Sequence, residues 1–299
     1  MNLMLLGAGA SFGSSNYLVP PMGAGLFKEL QLFNPPGWGA LPASIARHFE
    51  ADFEQGMREM ASSRSHDMPI LQREMAAYFF NFVPTNDSLY LRLAERVKRS
   101  GWKGTITTLN YERLLEIALL QVGIQPVIDS QASIGQIEVC MPHGCCHLFC
   151  EGVQAAATGV SFSGVGVTFD GQVVALSNYA QFQTRIKGNS VPPVMSYFEP
   201  DKTTSSGISF IRRQRDRWAA LVKEAKTIVV VGVRVRPSDK HLWSEIARSN
   251  ARVVFCAGQS AGEEFRLWAE AERYGKKNEV LSGYFAEKFD EICESVGLD

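Results

Sequence analysis

The chain opens on an apolar run, Asn2 to Leu6, that breaks directly into Gly7-Ala8-Gly9-Ala10-Ser11. A strand that stops at small residues and continues as a helix is the first half of a βα unit. Amides exposed where such a helix begins favour a bound phosphate. The dinucleotide fingerprint asks for a third glycine three positions after the second. Phe12 stands there, and Gly13 comes one residue late. No acidic residue closes a recognisable second strand at the expected distance. The turn therefore fits an ordinary dehydrogenase poorly, and taken alone it reads as a plain tight turn after a buried strand.

Further along, strand-like apolar runs alternate with segments of helical period, which predicts an α/β sheet with crossover helices. A helix is expected over 21–32, with Pro21 near its first turn, and a loop over 34–42 (NPPGWGALP). Helical spacing then persists over 43–100, as in Ile70, Leu71, Met75, Tyr78 and Phe79, so this block reads as an insertion. A strand over 104–108 and a helix over 112–122 follow. The glycine- and valine-rich stretch 151–177 reads as a hairpin turning at Asp170-Gly171. The all-apolar run to Val231 predicts a central parallel strand over 227–231. A helix over 238–248, a strand over 251–256, a helix over 261–274, a short strand near Val280 and a final helix complete the pattern. The expectation is one domain, 1–299. It is a Rossmann-like doubly wound parallel sheet with a helical insertion at about 43–100 and a small glycine-rich β-hairpin insertion at about 145–190.

Composition narrows the class of partner. The 299 residues are 45% hydrophobic and 20% charged, with a formal net charge of −1, so no global field draws the chain to nucleic acid or to an acidic membrane. The basic run at 212–217 (RRQRDR) precedes Trp218, Leu221 and Val222 at helical spacing and reads as a solvated helix face. No stretch of eighteen apolar residues occurs, and the apolar start lacks the basic flank of a signal peptide. A cytoplasmic protein is expected. Four of the six cysteines crowd into Cys140, Cys145, Cys146 and Cys150, around His143 and His147, with no CxxC pair anywhere. They read as free thiols of a reducing compartment, and no metal is expected.

Several short motifs fall in order. Thr107-Thr108-Leu109-Asn110-Tyr111-Glu112 follows the second apolar strand, and Pro142-His143-Gly144 comes about thirty residues later. Val229-Val230-Val231-Gly232 ends a late strand, followed by Arg234, Pro237 and Asp239. With the first glycine turn, this set resembles the sirtuin family. It is most similar to the sirtuin-like NAD hydrolases of bacterial antiphage defence. The resemblance implies that Gly7, Ala8, Gly9, Ala10 and Ser11 hold the phosphates of NAD. It also implies that Asn110, beside the nicotinamide ribose, and His143 are the catalytic residues, that Thr108 binds the cofactor, and that Gly232 and Arg234 hold its adenosine end. Three departures stand out: Glu112 replaces the family aspartate, Arg234 stands where a serine is usual, and the stretch after the turn (FGSSNYLVPPM) differs from the deacylase loop. The two CxxC pairs that hold the deacylases' structural zinc are missing.

The chemistry suits these residue types. Breaking the nicotinamide–ribose bond generates an oxocarbenium-like centre. An asparagine amide offers donors and an acceptor to hold ribose and water, and a histidine near neutrality accepts a proton. Taken singly, Asn110 reads as well as a helix cap, and His143 as a satisfied turn histidine. In family order the resemblance implies an enzyme that consumes NAD as substrate, releasing nicotinamide and ADP-ribose. A regulatory protein partner or a homo-oligomer is expected to restrain it. An NAD-dependent protein deacylase and a non-catalytic NAD or ADP-ribose sensor are the alternatives.

Overall fold

The structure is a computed structural model that describes residues 1–153, 168–196 and 205–298. Its centre is β1 (Asn2–Leu6), whose side chains alternate between two hydrophobic layers. Met4 and Leu6 enter one, Leu3 and Leu5 the other. A strand apolar at four successive positions, Leu3 to Leu6, is one buried on both faces.

After β1 come a five-residue helix, α1 (Ala8–Phe12), then α2 (Ala24–Phe33), α3 (Ala43–Ala51), α4 (Phe53–Ser63), α5 (Met68–Phe80) and α6 (Leu89–Ser100). The next elements are β2 (Thr105–Thr108), α7 (Leu114–Gln121), β3 (Gln125–Val127), β4 (Gln136–Cys140), β5 (Leu148–Cys150), β6 (Val173–Ala175) and α8 (Tyr179–Gly188). The chain closes with α9 (Ile208–Glu224), β7 (Thr227–Val231), α10 (Lys240–Arg248), β8 (Arg252–Ala257), α11 (Gln259–Glu272), β9 (Asn278–Ser282) and α12 (Phe289–Ser295).

Seven strands form one sheet in the order β3-β4-β2-β1-β7-β8-β9, and every neighbouring pair in it is parallel. Winding runs outward from β1 through β2, then returns to β7 on its other side. The expected doubly wound α/β sheet is thus the architecture found. One face carries α2 to α7 and α12, with Phe27, Phe49, Met75, Leu93, Leu115 and Ile292 in its core. The other carries α9, α10 and α11 through Trp218, Leu242, Ile246 and Phe265.

The helical block between β1 and β2 has its own aromatic nucleus. Phe27 and Phe49 stack at 4.8 Å between centroids, and Trp38 lies within 6.0 Å of Phe53. Trp38 anchors it by donating its indole N–H to Leu71 O at 3.2 Å. This nucleus is continuous with Met4 and Leu6 of the sheet, so the block packs on the sheet's own core. Local signals set its boundaries. Asp52 caps α4, accepting from Gln55 N at 2.9 Å, and Gly101 ends α6 in the left-handed region.

Several expected boundaries are corrected. The helix expected over 21–32 starts at Ala24, because Gly23 turns the chain with a φ of +57° and leaves Pro21 outside. Residues 8–12 form a helix rather than a bare turn. The helix expected from 112 begins at Leu114. β3, β4 and α8 were not anticipated. In the expected hairpin, β6 pairs antiparallel with β5. Asp170 instead accepts from Ser209 N at 3.3 Å, and Gly171 lacks the positive φ a two-residue turn needs. Residues 154–167 of that stretch lie outside the described residues. The basic run lies on α9, where Arg213 pairs with Asp129 and Arg217 with Glu138. Among the described residues no helix is long and apolar enough to cross a membrane.

Candidate active site

A cavity of about 260 Å³ opens at the carboxyl edge of the sheet, where the winding direction reverses between β1 and β7. Crevices at such switch points are where doubly wound folds bind ligands. Its lining comes from the ends of four strands: Gly7, Ala8, Gly9 and Ser11 after β1, Leu109 to Glu112 after β2, His143 after β4, and Gly232, Val233, Arg234, Arg236 and Asp239 after β7. Pro20 to Gly23, Leu26 and the start of α4 complete the lining. Of the sequence-predicted residues, Gly7, Ala8, Gly9, Ser11, Asn110, His143, Gly232 and Arg234 line the cavity, whereas Ala10 and Thr108 do not.

The three glycines are explained by backbone packing. Gly7 N donates to Val231 O at 2.9 Å and Gly9 N to Gly232 O at 3.0 Å, so both amides are committed to β7. A Cβ on Gly7 would lie 2.7 Å from Gly232 O, and one on Gly9 2.8 Å from Gly232 Cα. Gly232 itself has a φ of +66°, and its Cβ would meet Ala10 N at 2.2 Å. The first βα turn is therefore clipped to the end of β7 along a seam where these three glycines carry no side chain, with the Val233 methyl also close to Gly7.

Ser11 organises the interior. Its hydroxyl donates to Glu112 Oε1 at 2.6 Å and lies 2.7 Å from Tyr90 Oη. Asn110 Nδ2 donates to Ser11 Oγ at 2.8 Å and to Tyr90 Oη at 3.2 Å. A serine has one proton to give. With that proton donated to the Glu112 carboxylate, Tyr90 must donate to Ser11, and the Asn110 amide donates to both hydroxyl oxygens. That fixes which way the amide points. Its Oδ1 is left buried with no partner, on a residue that lines the cavity. Thr108 acts one step back: its Oγ1 accepts from Asn110 N at 3.1 Å and holds the turn.

Electrostatics here are set by burial. Removal from water raises the Glu112 carboxyl to about 7, against the opposing pull of its bond from Ser11. Burial likewise raises Glu116, in the first turn of α7, to about 8.

His143 sits on the turn after β4 and is buried. The turn requires Gly144, whose φ is +74° and whose Cβ would fall 2.0 Å from Val194 O. His143 Nε2 lies 3.1 Å from His241 Nε2 and 3.5 Å from Asp239 Oδ1. At the cavity mouth Arg234 pairs with Glu264, and Arg236 Nη1 reaches Glu54 at 3.0 Å and Asp52 at 3.8 Å.

Sequence reasoning did not find Tyr90, Arg236 or the approach of Asp239 and His241 to His143. Tyr90 carried no local signal, since it occupies an apolar position of a helix remote in sequence from Asn110. The spacing of Asp239 and His241 was visible, but it read as the opening of a helix.

All six cysteines are buried and free of disulfides. Cys145 Sγ donates to Tyr111 O at 3.1 Å, and His147 Nδ1 lies 3.1 Å from the same sulfur. Burial raises the Cys140 thiol to about 12 and lowers His147 to about 3, so these groups are kept neutral. Cys145, Cys146 and His147 nonetheless lie close enough to share an ion, as do His143, Asp239 and His241.

No protein-family model and no curated protein sequence matches the chain. Solved structures do match it along nearly its whole length. A serine-to-alanine mutant of a Sir2 homologue in complex with ADP-ribose is 16% identical, with 99% of this chain and 92% of that chain covered and a TM-score of 0.50. A histidine-to-asparagine mutant of a Sir2 homologue, also in complex with ADP-ribose, gives the same identity and coverage with a TM-score of 0.52. At that level of identity the likeness establishes a shared fold, and this chain has the Rossmann-like α/β fold of the Sir2 homologues.

Proposed function

We propose that this chain is an NAD hydrolase, binding NAD across the carboxyl edge of its sheet and cleaving it with water to nicotinamide and ADP-ribose. The observation that carries the reading is the Asn110 amide: its donors are held by Ser11 and Tyr90 while its buried carbonyl is left without a partner at the cavity wall. A fixed, desolvated acceptor in that position suits a ribose hydroxyl or the attacking water. The Sir2 homologues that share the fold are themselves complexes with ADP-ribose.

In the proposed reaction the bond between the ribose C1′ and the nicotinamide nitrogen breaks, its electron pair leaving with nicotinamide. Water adds to C1′ and gives up a proton. His143 accepts that proton, and Asn110 orients ribose and water in the developing oxocarbenium. Ala8 and the edge of the clipped turn face the pyrophosphate. Gly232 and Arg234 face the adenosine ribose, and Arg234 exchanges its contact with Glu264 for the ligand. The sirtuin resemblance, without the paired CxxC motifs, favours hydrolysis over deacylation. It sets the activity in bacterial antiphage defence by NAD depletion, under the restraint of a partner protein or of self-assembly.

The test is free nicotinamide released when the purified chain is incubated with NAD. Asn110→Ala and His143→Ala should each lower release at least 100-fold while circular dichroism stays unchanged. Undiminished release from both would sink the assignment. Release only when an acylated peptide is added would identify a deacylase, and tight NAD binding without release a sensor.

A further inference from the structure

Three potential metal-ligand atoms converge at the cavity wall from two separate elements. His143 comes from the turn after β4, while Asp239 and His241 flank the start of α10. All three ligand atoms lie within 4.8 Å of one another. The two rings meet edge to edge, with centroids 5.2 Å apart and planes inclined at 50°. Their Nε2 atoms are 3.1 Å apart, and Asp239 Oδ1 is 3.5 Å from the His143 nitrogen.

The 3.1 and 3.5 Å separations fall in the range found between two ligand atoms of one small divalent ion. Two ligand atoms each about 2.0–2.1 Å from a tetrahedral zinc lie about 3.4 Å from one another. Two imidazoles and one carboxylate form a donor set for zinc, cobalt or iron rather than calcium or magnesium. His143 and Asp239 line the cavity, so an ion can enter from it, and three protein ligands leave a coordination position open toward it.

We propose that His143, His241 and Asp239 hold one divalent transition-metal ion, of the zinc and cobalt class, at the wall of the cavity. The ion takes the ring nitrogen that hydrolysis requires as a base. Resting on the reading of His143 given above, the ion therefore withdraws that base and turns the activity off. The Cys145-Cys146-His147 group is the weaker rival, because the Cys145 thiol donates to the backbone carbonyl of Tyr111 and the group lies buried among core side chains.

The experiment strips the full-length chain with a chelator and titrates it with cobalt(II) alone, following the visible bands of the coordinated ion. The expected result is one cobalt per chain, at least about 100-fold weaker binding in His241→Gln and in Asp239→Asn, and unchanged binding in a Cys145→Ser/Cys146→Ser double variant. A direct ligand should matter at least as much as the outer-shell partners whose loss costs 10- to 100-fold. Circular dichroism checks that each variant is folded. No cobalt bands, bands that persist at full strength in His241→Gln, or bands lost in the cysteine variant would each overturn the site. Nicotinamide release from the stripped and the cobalt-loaded wild type is measured on the same samples. Release from the stripped form that falls on loading supports the brake, and equal release from both refutes it. A stripped chain that binds cobalt and releases no nicotinamide sinks the hydrolase reading and leaves the metal site standing.

Discussion

Replacing Gly232 by alanine tests the seam between the first turn and β7. Two costs are separable. The first is conformational: an L-residue at φ +66° is about 1–2 kcal/mol worse than glycine. The second is steric, because the new Cβ would lie 2.2 Å from Ala10 N and 2.5 Å from Gly9 C, all backbone atoms with no flexible end to swing away. Relief requires the turn and the strand to part by about 1 Å, given ordinary contact near 3.5 Å. That endangers the Gly9 N–Gly232 O and Gly232 N–Cys256 O bonds, both 3.0 Å, at about 1 kcal/mol each. The total is about 3–4 kcal/mol. Gly101 is the control: its φ is +61°, but nothing lies within 4 Å of its Cβ, so Gly101→Ala should show the conformational cost alone. At roughly 2–4 °C per kcal/mol for a large domain, thermal unfolding should drop about 10 °C for Gly232→Ala and only a few degrees for Gly101→Ala. Equal shifts in the two variants would refute the close-approach argument.

Two further predictions concern the interior of the site. Ser11→Ala removes the acceptor that holds Asn110 and the donor that serves Glu112, so stability should fall by about 1–3 kcal/mol. Nicotinamide release should fall on the order of 100-fold as the Asn110 amide loses its orientation, and unchanged release would show that Asn110 does not depend on Ser11. Glu112, raised from an ordinary 4.5 to about 7 by burial, binds its proton more tightly folded than unfolded. Its contribution is complete below about pH 4.5 and is lost as pH rises through about 7, a loss of about 3 kcal/mol. Urea melts of Glu112→Gln should therefore show a shallower decline across that window than the wild type. Glu116 titrates in the same sense and should leave a residual slope, whereas identical slopes in the two proteins would count against a buried, titrating Glu112.

The parts of this fold that were legible are those where one local rule suffices. β1 and β7 are apolar at nearly every position, and their limits could be read directly from the residues. β4 alternates polar and apolar residues and ends in Cys140, so its last residue drew attention as a member of the cysteine group. β3 is three residues with a proline at its centre, too short for any period to show. The start of α2 went to Pro21 on helix preference, but the positive φ of Gly23 overrode it. At the site, Asn110 and His143 were visible because they sit in short motifs at strand ends. Tyr90 was not, since only the packing of α6 beside the first turn makes its hydroxyl a partner of Asn110. The glycines stood out as a phosphate cradle, and only the packing of Gly232 against Gly7 and Gly9 adds a second demand on the same residues.

That seam also governs when the site can exist. β7 is synthesised more than two hundred residues after β1, yet Gly9 is held in place by Gly232. A chain still emerging from the ribosome lacks the strand that shapes its first turn, so it cannot yet present the finished crevice. If the protein consumes NAD as proposed, the nascent chain is harmless to its host until β7 has joined the sheet. Topology then delays the hazard for as long as translation lasts, without any inhibitor.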